Sequence, residues 1–73
     1  MYSFHSVMRG YDPRQVDEMF ARIDATLGRG TAALPPVTAA DVRAARFDVK
    51  MRGYSPKEVD DALIAAVTEL ERQ

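Results

Sequence analysis

The chain has 73 residues, no cysteine, one histidine and a formal net charge of −1 at pH 7. These values exclude disulfides, thiolate metal ligands and a zinc site built from histidines, and they argue against nucleic acid, whose binding domains usually carry a basic excess. A chain of this length buries only about 60–65% of its unfolded surface, so we expect further stability from self-association as a homo-oligomer.

Extended structure is predicted before the first turn. Phe4, Ser6 and Met8 alternate with other residues, as the side chains of one strand face do. Gly10 lies where the chain must turn into the following helix, and glycine permits the positive φ that such a turn often needs. Tyr11 precedes the helix cap and can pack back on the helix as a hydrophobic staple. We therefore predict that Gly10 and Tyr11 define the first turn.

An amphipathic helix is predicted over residues 13–27. Asp12 is a good N-cap, Pro13 suits the first helical position, and Gln15 completes a pattern similar to a capping box. Gly28 suits the position directly after the helix. The apolar positions at helical spacing are Val16, Met19, Phe20, Ile23 and Leu27. We predict that this face is buried.

A linker and a short helix separate the two main helices. The linker, residues 28–37, contains Pro35 and Pro36, which favour extended structure around them. The sequence from Thr38 then follows a capping-box pattern. This pattern predicts a short helix over residues 39–46.

The extended segment, the turn and the amphipathic helix then recur. Phe47, Val49 and Met51 alternate as in the first segment, and Gly53 and Tyr54 occupy the second turn. A Ser-x-x-Glu capping box with proline after the serine predicts the start of the last helix. Its apolar face consists of Val59, Ala62, Leu63, Ala66, Val67 and Leu70. We predict that this face packs against the apolar face of the first helix.

The two turn-plus-helix units are copies of one another at an offset of 43 residues. Nine paired positions are identical, and the shared motif Met-Arg-Gly-Tyr-x-Pro-x-x-Val-Asp begins at Met8 and again at Met51. A repeat of this length indicates one supersecondary unit used twice. We therefore predict a single small domain, 1–73, in which the linker joins repeat one (4–27) to repeat two with its leading helix (38–72).

The predicted fold class is all-α. The two tandem turn-plus-amphipathic-helix repeats and the short extra helix are expected to pack as a small helical bundle, because the matched apolar faces must be buried against one another. Leftover apolar surface on such a bundle would support self-association.

The repeated motif resembles the N-terminal domain of the DivIVA family of bacterial division and polarity proteins. The pattern F-x-x-x-x-R-G-Y-[DS]-P-x-x-V-D carries the resemblance and occurs twice, at Phe4–Asp17 and Phe47–Asp60. The resemblance implies a parallel pair of helices with a short coiled coil, whose crossed turns carry an apolar residue beside an arginine. In that family this tip contacts anionic, curved membrane. The family tip often bears Phe where this chain has Met.

Carried over by position, the membrane or partner contacts would be Met8, Arg9, Met51 and Arg52. For the two arginines, contact with an anionic lipid or carboxylate competes with a structural role, a hydrogen bond to the turn carbonyls or to Asp17 and Asp60. For the two methionines, insertion into an interface competes with filling the core.

The resemblance also suggests an architecture. A family pair uses two chains, whereas this chain carries two units of its own. The hypothesis is that Phe4–Leu27 and Phe47–Leu70 form a pseudo-two-fold pair with parallel helices and both turns at one end. An antiparallel arrangement would instead place Arg9 and Arg52 at opposite ends of a plain helical bundle.

No catalytic, cofactor-binding or metal-binding residues are predicted. The paired acids Asp17-Glu18 and Asp60-Asp61 point about 100° apart on a helix and do not converge on a substrate. The leading hypothesis is therefore a non-enzymatic structural or adaptor module that mediates protein–protein interaction or self-association, expected at the division site or cell pole. The alternatives are a peripheral membrane-binding module that uses the Met-Arg tips and a small helical nucleic-acid-binding module.

The expected location is the cytoplasm, with peripheral attachment if the tips bind lipid. No stretch approaches the roughly 20 apolar residues of a membrane span. The N-terminus also lacks the apolar block of a signal peptide.

Overall fold

The computed structural model describes residues 3–29 and 35–72. Along the chain the elements are β1 (Ser6–Tyr11), α1 (Pro13–Thr26), α2 (Ala39–Arg43), β2 (Val49–Tyr54) and α3 (Pro56–Glu71). Each strand runs directly into a long helix, so the two repeats have the same local structure. The prediction of an all-α helical bundle is wrong, because the extended segments pair with each other and the fold is mixed α+β.

The two strands form a two-stranded sheet across the repeats. Ser6 lies opposite Tyr54 and Tyr11 lies opposite Val49, so residue numbers fall along β2 as they rise along β1 and the pairing is antiparallel. The register is irregular, and Tyr11 also lies beside its own counterpart Tyr54. The extended segments were predicted correctly, but their pairing was not. A strand needs a partner from elsewhere in the chain, and local alternation does not name that partner.

The strands cross at two buried glycines. A Cβ added to Gly10 would press on the carbonyl carbon of Gly53 and lie 2.6 Å from the carbonyl oxygen of Tyr54. A Cβ added to Gly53 would lie 2.6 Å from the carbonyl carbon of Gly10. The predicted left-handed conformation is wrong for both, because the only residue of either turn with positive φ is Arg9, at 58°. Glycine is required here for close backbone approach.

The predicted helix caps are present. The side chain of Asp12 accepts a hydrogen bond from the Arg14 N–H at the start of α1, and the side chain of Ser55 accepts one from the Glu58 N–H at the start of α3. A full capping box begins α2 at Thr38, although this helix ends at Arg43, three residues earlier than predicted. The reciprocal half of the predicted boxes in α1 and α3 is not formed, because Gln15 and Glu58 bind the opposite repeat instead.

The core lies between the helices. Its buried members form one cluster, made of Val16, Phe20, Ile23, Val37, Val42, Val59 and Ala66. Leu27, Leu63 and Leu70 pack against that cluster and are partly buried. The predicted packing of the two apolar faces is therefore confirmed. Val37 joins the core from the end of the linker, where its N–H donates to the Thr26 hydroxyl at 2.9 Å.

The long helices run in the same direction. Near their first turns, the Tyr54 hydroxyl donates to the Asp17 carboxylate at 3.0 Å. Beyond the end of α1, Arg29 forms an ion pair with Glu69 near the end of α3, at 2.8 Å. Contacts between matching ends require parallel axes, so the antiparallel alternative is wrong.

Candidate binding tip

The site begins with two crossed hydrogen bonds that lock the turns to the opposite helices. The Tyr11 hydroxyl donates to Asp60 at 3.1 Å, and the Tyr54 hydroxyl donates to Asp17 at 3.0 Å. These two bonds are the same contact made once in each direction between the repeats. Burial and the Asp60 bond raise the pKa of Tyr11, and the Asp17 bond with burial raises that of Tyr54. Tyr11 and Tyr54 thus anchor the two turns through partners in the other repeat.

A second pair of matched contacts ties each strand entrance to the opposite helix. The Asp12 N–H donates to the carbonyl of Asp48 at 2.8 Å, and the Ser55 N–H donates to the carbonyl of His5 at 2.9 Å. The aromatic rings repeat the pattern, since the Phe4 and Tyr54 centroids lie 5.3 Å apart and so do those of Tyr11 and Phe47. The hypothesis of a pseudo-two-fold pair is confirmed.

A third pair differs in chemistry between the repeats. Gln15 donates to the Asp48 carboxylate at 3.0 Å and accepts from the Asp48 N–H at 2.7 Å. In the other direction Glu58 accepts from the His5 N–H at 2.8 Å and lies 2.7 Å from the His5 ring nitrogen Nδ1. The hydrogen bonds from His5 lower the pKa of the Glu58 carboxyl group. One side of the molecule is therefore held by an amide–carboxylate pair and the other by an imidazole–carboxylate pair.

The crossing brings the four predicted contact residues to one end. Met8 and Arg52 are partners in the sheet, and Arg9 and Met51 are their neighbours along the two strands. Directly opposed residues in an antiparallel sheet lie about 5 Å apart, far less than the roughly 22 Å length of one helix. The prediction that both Met-Arg turns lie at the same end of the molecule is therefore confirmed. We call the set Met8, Arg9, Met51 and Arg52 the crossed tip.

All four side chains of the crossed tip face solvent. Met8 is 74% exposed and Met51 is 84% exposed, so the alternative that they fill the core is wrong. Within residues 3–29 and 35–72, neither the Arg9 nor the Arg52 side chain makes a hydrogen bond or an ion pair. Asp17 binds Tyr54, and its counterpart in repeat two binds Tyr11, so the structural role for the arginines is wrong too.

Two further exposed residues of β2 lie close to the crossed tip, and the sequence did not predict them as contacts. Val49 is 61% exposed and Lys50 is exposed beside it, with its Nζ 4.0 Å from an Asp12 carboxylate oxygen. The alternation of residues predicted that Val49 lies on the same strand face as Phe47 and Met51. The equivalent position in repeat one is Ser6, and a polar residue at that position is the signal that could have identified it as facing solvent.

Neither metal-binding nor membrane-spanning features are found in the part of the chain that the structure describes. There, no three acidic or histidine side chains come together as they do around a metal ion. None of the helices over residues 3–29 and 35–72 has the length and apolar character needed to cross a bilayer. No protein-family model, curated protein or solved structure matches the chain. The crossed tip is therefore interpreted from its own geometry.

Proposed function

We propose that this protein is a non-enzymatic structural and adaptor module that binds an anionic membrane surface through the crossed tip. The observation that carries the proposal is the placement of two exposed methionines and two exposed arginines at one end of the molecule. Neither arginine side chain is paired within the described residues, 3–29 and 35–72. A cytoplasmic, peripheral location follows from this proposal. The resemblance to the DivIVA N-terminal domain supports it, with the division site or cell pole as the expected location.

The chemistry of the tip suits a lipid headgroup layer. Each Arg or Lys near an anionic bilayer contributes about 1 kcal/mol of attraction, so Arg9 and Arg52 together supply about 2 kcal/mol. Methionine is flexible and apolar, and an exposed pair can enter the boundary between headgroups and acyl chains. Lys50 adds a third cation beside the pair, since its contact to Asp12 is long.

The rigidity of the crossing favours binding by the crossed tip. Gly10 and Gly53 hold the turns backbone to backbone, and the tyrosine–aspartate bonds anchor each turn to the opposite helix. A preorganised pair of contacts loses less conformational entropy on binding than two free loops would lose. Two linked contacts also reinforce one another, as in other multivalent attachments.

Vesicle co-sedimentation tests the proposal. We expect binding to vesicles that contain phosphatidylglycerol, little binding to pure phosphatidylcholine, and weaker binding as salt is raised. Arg9→Gln should weaken binding about fivefold, the equivalent of about 1 kcal/mol. Arg72→Gln removes the same charge at the far end of α3 and should change binding little. Equal losses in the two variants would rule out the tip as the contact.

A matched pair of apolar substitutions tests insertion. Met8 is 74% exposed and Ile64, on α3, is 66% exposed, so both substitutions replace an exposed apolar side chain. Met8→Ser should weaken vesicle binding, whereas Ile64→Ser should leave it unchanged. If neither apolar substitution changes vesicle binding but Arg9→Gln weakens it, the protein is attracted to the membrane surface without inserting side chains into it.

A protein partner or a second copy of the chain is the second candidate target. The exposed Ile64 favours it, because this apolar side chain lies on α3, away from the crossed tip. Light scattering over a range of concentrations would detect self-association. Nucleic acid is the least favoured target, since exposed acids such as Asp17, Glu18 and Asp61 lie on both long helices. Salt-dependent retention on heparin in the absence of vesicle binding would reverse that order.

A further inference from the structure

A groove between α2 and α3 distinguishes the second repeat from the first. It has a volume of about 380 Å³ and its walls come from the stretch 42–47 and from Leu63, Ile64 and Val67 on α3. Tyr11 and Asp60 close one end. The volume is at the lower end of the range of about 300–1,000 Å³ that is usual for ligand sites.

One difference between the repeats enlarges the groove. In repeat one, Phe20 occupies the position equivalent to Leu63, is 3% exposed and packs against Phe4 with the ring centroids 5.5 Å apart. In repeat two the smaller Leu63 lines the groove together with Phe47. The groove is therefore larger by the difference in size between a phenylalanine and a leucine side chain.

Two further departures from the repeat make the groove apolar. Ile64 stands where repeat one has the exposed Ala21, and Val67 stands where it has Asp24, which pairs with Arg29. Ile64 remains 66% exposed, so the packing of this chain does not account for its apolar side chain. An exposed apolar residue at the rim of an open groove is typical of an interaction site.

The charges around the groove indicate which charge its ligand carries. Arg43 pairs with Glu71, and Asp60 accepts from the Tyr11 hydroxyl. Within residues 3–29 and 35–72, the side chain of Arg46 makes no hydrogen bond or ion pair, so one cation at the groove lacks a partner.

We propose that this groove binds an amphipathic helical segment of a partner protein, with apolar side chains on Leu63, Ile64 and Val67 and a carboxylate on Arg46. Because α2 and α3 form its walls, a third helix can pack along both of them. Such a helix would contact the groove through apolar side chains spaced at i, i+3 or i+4. The inference rests on the adaptor part of the proposed function, and it does not depend on the tip.

Selection from a phage-displayed library of helical peptides tests the proposal. Wild-type protein is the bait, and Ile64→Asp protein removes peptides that bind elsewhere. We expect enriched peptides to share apolar residues at helical spacing with a neighbouring Asp or Glu. By fluorescence anisotropy, Ile64→Asp should weaken their binding at least about tenfold. Ala21→Asp, the same change at the equivalent position of repeat one, should have no such effect.

Charge reversal supplies the decisive comparison. A selection on Arg46→Glu protein should exchange the acidic residue of the peptides for Lys or Arg. Unchanged peptide charge, or equal binding to Ile64→Asp and wild type, would overturn the proposal. So would a dimer that Ile64→Asp dissolves, because a second copy would then occupy the groove. The groove variants should keep their vesicle binding, and Arg9→Gln should keep its peptide binding, so the two proposals can fail separately.

Discussion

The hydroxyl of Tyr54 donates to the carboxylate of Asp17 across 3.0 Å, although the two residues belong to different repeats. Tyr11 and Asp60 make the same contact in the opposite direction at 3.1 Å. Each repeat thus holds the turn of the other, and the geometry of the crossed tip depends on both repeats being folded together. This relationship makes several features of the fold open to direct test.

The first prediction concerns the tyrosine–aspartate bonds. Tyr54→Phe removes a hydrogen bond to a charged acceptor at a partly exposed site, so we expect a loss of about 0.5–1.5 kcal/mol in the free energy of unfolding. Combining it with Asp17→Asn in a double-mutant cycle, measured by urea denaturation, isolates the pair. A coupling energy of zero would contradict the crossed bond.

The same bonds predict an alkaline loss of stability. The pKa values of Tyr11 and Tyr54 are raised above the ordinary value of 10.0 in the folded protein. A group with a raised folded pKa stabilises the fold fully below its unfolded pKa and loses that contribution as pH rises through the folded value. Stability should therefore fall above about pH 10, and less steeply in the Tyr11→Phe/Tyr54→Phe double variant. Parallel curves for the two proteins would contradict this.

The glycine crossing predicts an unusually large effect of adding one methyl group. Gly10→Ala and Gly53→Ala should each cost about 3 kcal/mol or more, because the added carbon meets backbone of the other strand and backbone cannot move aside easily. Gly28→Ala is the control, since nothing lies within 4 Å of its added carbon. Its cost should be only the roughly 1–2 kcal/mol of a left-handed conformation. Similar losses at Gly10 and Gly28 in denaturant unfolding would argue against the crossing.

Core packing gives a fourth prediction. Phe20 is 3% exposed and belongs to the central cluster, so Phe20→Ala should cost about 3–5 kcal/mol, most of the stability of so small a domain. Met8→Ala removes a side chain that is 74% exposed and should change stability by less than about 0.5 kcal/mol. Thermal melts followed by circular dichroism compare the two, and a small shift for Phe20→Ala would remove it from the core.

The contacts Gln15–Asp48 and Glu58–His5 differ in chemistry, and this difference gives a prediction for acid pH. Because hydrogen bonds from His5 lower the pKa of Glu58, its contribution is present above the ordinary value of 4.5 and lost as pH falls through the folded value. The stability difference between wild type and Glu58→Gln should therefore shrink in acid. Glu58→Gln keeps the size of the side chain and its ability to accept a hydrogen bond, but it has no carboxyl group to titrate. A stability difference between the two proteins that stays constant from neutral to acid pH would contradict the assignment.

Much of the local structure could be predicted from the sequence alone. The repeat, the caps at Asp12, Thr38 and Ser55, and the apolar faces of the long helices all depend on residues within one or two turns of each other. Such short-range relations can be recognised from the spacing of residue types along the chain. The four tip residues were named instead through the resemblance of the repeated motif to the DivIVA N-terminal domain, which matches Met8–Arg9 and Met51–Arg52 to the tip of that family.

Only the tertiary structure decided the sheet, the partners of the polar side chains and the groove. Strand pairing joins segments that are far apart in the chain, and alternation within one segment does not select its partner. Gln15 and Glu58 looked like local box residues, yet each binds the strand entrance of the other repeat. Asp17 and Asp60 could have bound the arginines of the turns by their place in the sequence, yet each accepts a hydrogen bond from a tyrosine of the opposite repeat. The distances that allow these bonds arise only once the two repeats cross.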